Sequence, residues 1–320
     1  MKPHKIAVAG CGAAAFGLHL PALTASPAWT VTAVLDRQSE RATSAADQFG
    51  VGTIARTLPE LLDGADMLAV LTGVHHVLIA GALAAGVHVF TEKPLTLDAA
   101  LSARLRLEAE QRGLLLEVGA MRMHDPALYD LRATMPSVRG GWLVKADGVD
   151  AAARSRILPE GFAPYTFTDD PPQPVPDGLA PHQEAALKVL LWEGYHQLTS
   201  LLTVAGPAYP AACAIGPDHA VHAIVTDDHG RPYSIVIARP GPGVFTDSFH
   251  LIGPDAPADL RWPAPYSPAG DADPFTAMWA AVADALTSGT STGSAALSVQ
   301  VETLALGLAR ITTTLGSIHV

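Results

Sequence analysis

The chain has 320 residues, 49% of them hydrophobic and 16% charged, with a formal net charge of −11; that is enough apolar material for a large core and enough length for two domains. The acidic balance opposes a phosphate backbone and argues against a nucleic-acid partner. No apolar run reaches the roughly 18 residues of a membrane span, and the start MKPHKIAVAG lacks the separate regions of a secretory leader. The only cysteines, Cys11 and Cys213, are too few for a disulfide framework and fit a reducing, cytoplasmic setting.

In chain order, short β-rich runs at 5–10, 31–36, 66–72, 87–90 and 114–119 alternate with Ala- and Leu-rich helical stretches near 13–26, 39–49, 58–63, 75–85 and 97–112. Strands that are apolar throughout, separated by amphipathic helices, predict a parallel sheet covered on both faces. Residues 1–120 therefore read as a doubly wound α/β domain. The rhythm then changes. A helical piece, DPALYDLRATM, leads to the strand-like GGWLVKADGV, and residues 151–182 become proline-rich, as in a long loop or lid. One strong helix follows, QEAALKVLLWEGYHQLTSLLTVAG, stopped by Gly206 and Pro207. Strand-like runs at 211–215, 221–226, 233–239 and 245–252 and helices at about 275–287 and 295–316 complete an expected α+β domain, 121–320, on a mostly antiparallel open sheet.

Directly after the first strand, VAGCGAAAFG sets Gly10, Gly12 and Ala15 in the spacing of a dinucleotide-binding turn. Gly10 permits the tight turn, Gly12 lets the backbone approach a pyrophosphate, and Ala15 lets helix and strand pack closely. The N–H groups at Ala13 and Ala14 open the helix toward the anion. A bare βα turn uses glycine too, so the context matters. The second strand ends on Asp36, somewhat over 20 residues along, where a carboxylate accepts hydrogen bonds from an adenosine ribose. Asp36 repels a 2′-phosphate, whereas Arg37 either stacks on adenine or pairs with such a phosphate. NAD is the expected cofactor and NADP the alternative. Cys11 needs no chemistry of its own in a turn that binds through its backbone.

The fourth run ends in VHVFTEKPLTL. Ligands of open α/β sheets sit at the carboxyl ends of strands, which places Lys93 toward the nicotinamide. There it can shuttle a proton or hold a substrate oxygen. Taken alone, EKP is equally a solvated strand exit.

On the second-domain helix, Lys188, Trp192, Tyr195, His196 and Thr199 share one face by helical spacing. Trp192 and Tyr195 are either core or flat apolar walls for a sugar ring or an aromatic substrate. The histidines at 75–76, 219 and 222 have no third ligand at metal-binding spacing, and no metal is expected.

Taken together, the glycine loop, LDR at 35–37, GVHVFTEKPLTL and VGAMRMHDPAL resemble the Gfo/Idh/MocA family (glucose–fructose oxidoreductase, inositol 2-dehydrogenase, rhizopine catabolism), in matching order along nearly the whole chain. The resemblance implies that Lys93 lies at the active site beside nicotinamide and substrate and that Glu92 belongs to the same cofactor-contacting segment. It matches Thr72 and His75 of TGVHH to a nicotinamide loop, although the family's Pro and Asn are missing. It matches Gly194 and His196 to Asp-x-Gly-x-His, with Trp192 and Thr199 where the family carries aspartates. His196 is thus a second acid/base or a core histidine. Arg122 and His124 border the cleft as substrate contacts, or begin a surface helix.

The leading expectation is an NAD(P)-dependent dehydrogenase or reductase acting on a C–OH/C=O centre of a sugar, polyol or sugar-like small molecule. The loss of the motif's first aspartate, at Trp192, motivates a second reading, reduction of a C=N bond or transformation of an unusual natural-product intermediate. A third is a cofactor-binding protein without net redox activity. The family commonly pairs its open sheet faces, so a homodimer or homotetramer is expected.

Overall fold

A computed structural model of the chain describes residues 2–148, 158–162, 173–241, 244–254, 258–263 and 274–315. Of the loop read at 151–182, residues 151–157 and 163–172 lie outside them. Six strands, β1 (His4–Ala9), β2 (Trp29–Leu35), β3 (Thr53–Ile54), β4 (Met67–Val70), β5 (His88–Thr91) and β6 (Leu116–Val118), form a parallel sheet in the order β3-β2-β1-β4-β5-β6. β3, two exposed residues on the edge, is too short to register as a run. Successive side chains divide between two cores, as a pleated strand requires. Ile6, Val8, Met67, Ala69 and Phe90 face one; Ala7, Ala9, Leu68, Val70 and Val89 face the other.

Helices cover both faces. A π-helical turn (Ala15–His19) runs on into α1 (Leu20–Ala25), and with α2 (Ser39–Phe49) it covers the first face. The second face takes α3 (Leu58–Leu62), α4 (His76–Ala84) and α5 (Ala99–Gln111). The strand order reverses between β1 and β4, which makes their carboxyl ends the crevice where ligands of such sheets bind.

A 3₁₀ turn (Met121–His124) and α6 (Pro126–Thr134) lead into the second sheet. Its strands are β7 (Gly140–Asp147), β8 (Ala208–Ile215), β9 (Val221–Asp227), β10 (Pro232–Ala238), β11 (Phe245–Ile252), β12 (Ala258–Arg261) and β13 (Thr312–Thr314), in the order β12-β11-β7-β10-β9-β8-β13. Pairing is antiparallel except for β10 on β7 and β13 on β8. One face packs against α7 (Pro181–Trp192), α8 (Tyr195–Ala205) and α10 (Ser294–Arg310). The other carries Trp142, 41% exposed and stacked on His250 with ring centroids 4.8 Å apart. Helix α9 (Pro274–Ser288) returns to the first sheet, where Met278, Trp279 and Val282 complete its core.

Two expectations change. The single helix from 183 to 206 is two helices, α7 and α8, broken at Glu193–Gly194. A Cβ at Gly194 would lie 3.0 Å from both Ile237 Cδ1 and the Leu190 carbonyl. The glycine is what lets the chain bend while pressed on β10. Positions 188 to 199 therefore do not present one continuous face. The last helix stops at Arg310 rather than 316, and Thr312–Thr314 joins the sheet edge instead.

Replacing Gly194 with Ala is expected to force α7 and α8 off β10 and to lower stability by about 1–3 kcal/mol. The check is a lower urea midpoint at unchanged slope.

Candidate functional site

Gly10 leaves β1 with φ +98°, and a Cβ there would stand 2.7 Å from the Leu71 carbonyl carbon at the end of β4. The two strand ends of the crevice touch where only glycine fits. No atom lies within 4 Å of the Cβ position of Gly12, which leaves the close approach a pyrophosphate requires. Ala13 and Ala14 open the helix, and Ala15 is fully buried against the sheet. Asp36 holds the turn from the side: Oδ2 accepts from Cys11 N at 2.7 Å and Oδ1 from Gln38 N at 2.8 Å. Arg37, next to it, is exposed. Burial, and then the Asp36 charge, push the Cys11 thiol up to about 12, so it stays protonated. This cradle of turn, helix start and carboxylate fits a dinucleotide.

At the end of β5, Glu92 N is bonded to the Val70 carbonyl and the Lys93–Pro94 peptide is cis. His75 ties this exit to the loop after β4. Its Nδ1 lies 2.9 Å from the Pro94 carbonyl and its Nε2 lies 2.7 Å from the Thr72 carbonyl. Burial outweighs both carbonyls and holds its pKa below the usual value, so the neutral ring donates to one of them at a time. The Thr72 hydroxyl turns to the Val74 carbonyl at 2.9 Å. Thr72 meets the backbone of its own loop, and His75 that of both.

Lys93 reaches across to the second domain, where its ammonium donates to the Trp192 carbonyl at 3.0 Å, the last residue of α7. A cation at a helix carboxyl end meets unpaired carbonyls and the negative end of the dipole. His196 lies in the first turn of α8. Its pKa sits well below the usual value because of burial, followed by Lys93, Arg122 and Lys145. All three charges acting on it are positive, and its Nδ1 is buried without a hydrogen-bond partner.

Arg122 arrives from the 3₁₀ turn after β6 and is 3% exposed. Its Nη2 is 2.5 Å from Asp247 Oδ2, and its guanidinium lies 3.8 Å from the centre of the Trp262 ring. Lys145 Nζ reaches the same Oδ2 at 3.0 Å, and Gln197 Nε2 donates to Oδ1 at 2.8 Å. Arg122, Lys145, Asp247 and Gln197 thus form a buried polar cluster beside His196. The sequence reading found only Arg122.

The other predicted residues diverge. Tyr195 is fully buried, and its hydroxyl donates to Ser298 Oγ at 2.9 Å, which donates to Glu302 at 3.0 Å. Thr96 N donates to the same Glu302 oxygen at 3.2 Å. Burial pushes the Glu302 carboxyl up to about 7 against the hydrogen bonds of Ser102, Thr96, Ser298 and Leu95. Lys188 pairs with Glu184 one turn earlier, 2.5 Å away, at the surface. His124 has a buried Nε2 without a partner, and burial lowers its pKa while Glu117 opposes the shift. Trp192 packs partly buried at the edge of the second core.

Glu92 has a partner that sequence reasoning also missed. His19, fully buried in the π-helical turn, lies with Nε2 2.8 Å from Glu92 Oε1. Among the described residues, no group of three His, Cys, Asp or Glu side chains could hold a metal, and no helix is long and apolar enough to cross a membrane.

A reversed-order parallel sheet with a glycine turn at its crevice, joined to a second sheet, is the arrangement of a dinucleotide-binding protein. Residues 4–120 match the model of the Gfo/Idh/MocA oxidoreductase family, NAD-binding Rossmann fold. The dTDP-3,4-didehydro-2,6-dideoxy-alpha-D-glucose 3-reductase of Actinomadura kijaniata is 41% identical over 128 residues, 39% of this chain and 38% of that one. The inositol 2-dehydrogenase of Leifsonia xyli is 32% identical over 146 residues, 44% of this chain and 42% of that one. These alignments span well under half of the relatives' length. Across nearly the whole chain the fold is that of KijD10, a 3-ketoreductase from Actinomadura kijaniata in complex with NADP and TDP-benzene, with TM-score 0.71, 22% identity and coverage of 98% and 99%. GenD2 from gentamicin A biosynthesis, in complex with NAD, gives TM-score 0.74 and 18% identity over 97% and 94%.

Asp36→Ala removes the carboxylate from the turn and from the position where a ribose is expected. NADH affinity is expected to fall about tenfold, with a smaller loss for NADPH, measured by calorimetry on each.

Proposed function

We propose that the protein is an NAD(P)-dependent oxidoreductase that moves hydride between nicotinamide and a C–OH/C=O carbon of a sugar, polyol or sugar-like small molecule. The observation that carries this reading is the ammonium of Lys93, at a carboxyl strand end of the sheet whose turn is formed at Gly10, on the Trp192 carbonyl four residues before His196. The nicotinamide supplies or takes up the hydride. In reduction, a carbonyl oxygen gains negative charge as its carbon is attacked. Lys93 stands to donate the proton, and Arg122 and Lys145 add to the positive field that stabilises the oxygen. His196, neutral, serves as a hydrogen-bonding partner that orients a substrate hydroxyl, its unpartnered Nδ1 available for that contact.

Arg122 and Gln197 complete the substrate pole, held by Asp247 in place of the carboxylates absent at 192 and 199. His124, Trp192 and Tyr195 would shape the pocket from farther out, and Lys188 its rim. Asp36 and Arg37 would receive the adenosine end, with NAD preferred, while Thr72, His75 and Glu92 would shape the nicotinamide end. The names of the two curated relatives, a keto-sugar 3-reductase and an inositol dehydrogenase, support a carbon–oxygen centre over C=N. A cytoplasmic homodimer or homotetramer would cover the open sheet face around Trp142 and His250.

Lys93→Met is expected to lower kcat by about 10²–10⁴ on a keto-sugar panel with NADH affinity unchanged. Because His196 is neutral across the working range, the pH–rate profile should lack an acid limb from it between about pH 6 and 9. Wild-type turnover by the variant would remove Lys93 from the chemistry, and turnover of cyclic imines alone would replace the substrate class. Trp142→Glu should leave a monomer in sedimentation at concentrations where the parent is oligomeric.

A further inference from the structure

We infer that His19 is a positioning residue for the proton chemistry of Lys93, acting by holding the Glu92 carboxylate fixed against the lysine. The inference rests on the reading of Lys93 as the proton carrier. In the π-helical turn Ala15–His19 the chain is wider than in an ordinary helix, and His19 points inward. Its ring is enclosed by Phe90, Phe275 and Trp279, with centroids 5.6, 5.3 and 5.7 Å away. An imidazole in such a cage loses its hydration and is retained at a cost unless it is bonded. Its hydrogen bond goes to Glu92, and the other ring nitrogen, Nδ1, is buried without one. Packing alone would be served as well by an apolar ring.

Glu92 is confined on its remaining sides. Oε2 accepts from Lys93 N at 3.1 Å, and a Cβ on Gly119 would come within 3.0 Å of Oε1. Burial pushes the carboxyl up, but the hydrogen bond and charge of His19, followed by Lys93, outweigh it and leave its pKa below the ordinary value. The groups that face Glu92 are His19 from the π turn, Lys93 on its own strand exit, His75 at the start of α4, and Tyr195 on α8. Those that face Lys93 include Glu92, His196 and the Trp192 carbonyl. Without the His19 hydrogen bond nothing holds Oε1, the carboxylate moves off the strand exit, and the ammonium form of Lys93, deprived of a fixed negative neighbour, is less favoured.

The test reads Lys93 directly in the free protein. Lysines are reductively ¹³C-dimethylated and their methyl signals titrated by NMR. Lys93→Met assigns the Lys93 signal among those of Lys2, Lys5, Lys145 and Lys188. His19→Phe, which fills the cage without an N–H, is expected to lower the Lys93 midpoint by about one pH unit. His19→Gln, which keeps a donor, should restore most of it. Glu92→Gln should reproduce the shift, and adding His19→Phe to it should change nothing further. An unmoved midpoint in a folded His19→Phe protein overturns the inference, as does a further shift in the double variant. Should His19→Phe not fold, the decision passes to the other two: Glu92→Gln must lower the midpoint and His19→Gln must leave it. Since no substrate takes part, a shift without hydride transfer on any sugar would sink the proposed reaction and leave this coupling standing.

Discussion

The contact on which the site depends is the ammonium of Lys93 on the carbonyl end of α7. It joins the edge of one sheet to the helix layer of the other, and it exists only because the second-domain helix breaks one residue later. Gly194, pressed on Ile237 and the Leu190 carbonyl, bends the chain. The bend exposes the carbonyl of Trp192 and starts a new helix whose first turn carries His196. Trp192 meets the lysine through its backbone, so the side chain at that position is free to vary without removing the contact.

Electrostatics then decide what the assembled groups can do. Burying Arg122 and Lys145 costs several kcal/mol per ion before partners are counted, and Asp247 supplies the partner for both. The cluster is maintained by four elements: the turn after β6, the neighbouring strands β7 and β11, and α8, which carries Gln197. Its balance leaves His196 in a positive field, which suits an imidazole that stays neutral and an oxygen that becomes negative.

Much of the first domain was legible because its signals are local. Apolar strands, a glycine turn and the acid of Asp36 are each confined to a few neighbouring residues, and the crevice follows from strand order. The break at Gly194 was not legible, since one glycine inside a strong helical period costs only about 1 kcal/mol and the sheet that forces the bend is distant in sequence. Asp247 and Lys145 left a trace that was overlooked. Both occupy inward positions of their strands, in line with Phe249 and Leu143, and they pair across β7 and β11. A charge in the apolar register of a strand is a readable sign of a buried pair. His19 had no such sign, because its partner Glu92 lies 73 residues away.

Helix α10 belongs to both cores: Ala295 is embedded under the first sheet, while Val301, Leu304, Ala305 and Leu308 are embedded under the second. From 295 to 308 an α-helix advances about 20 Å and does not stretch. The two layers are therefore mounted on a common spine of fixed length. A pivot of one layer against the other about that spine would move the rim farthest from it the most.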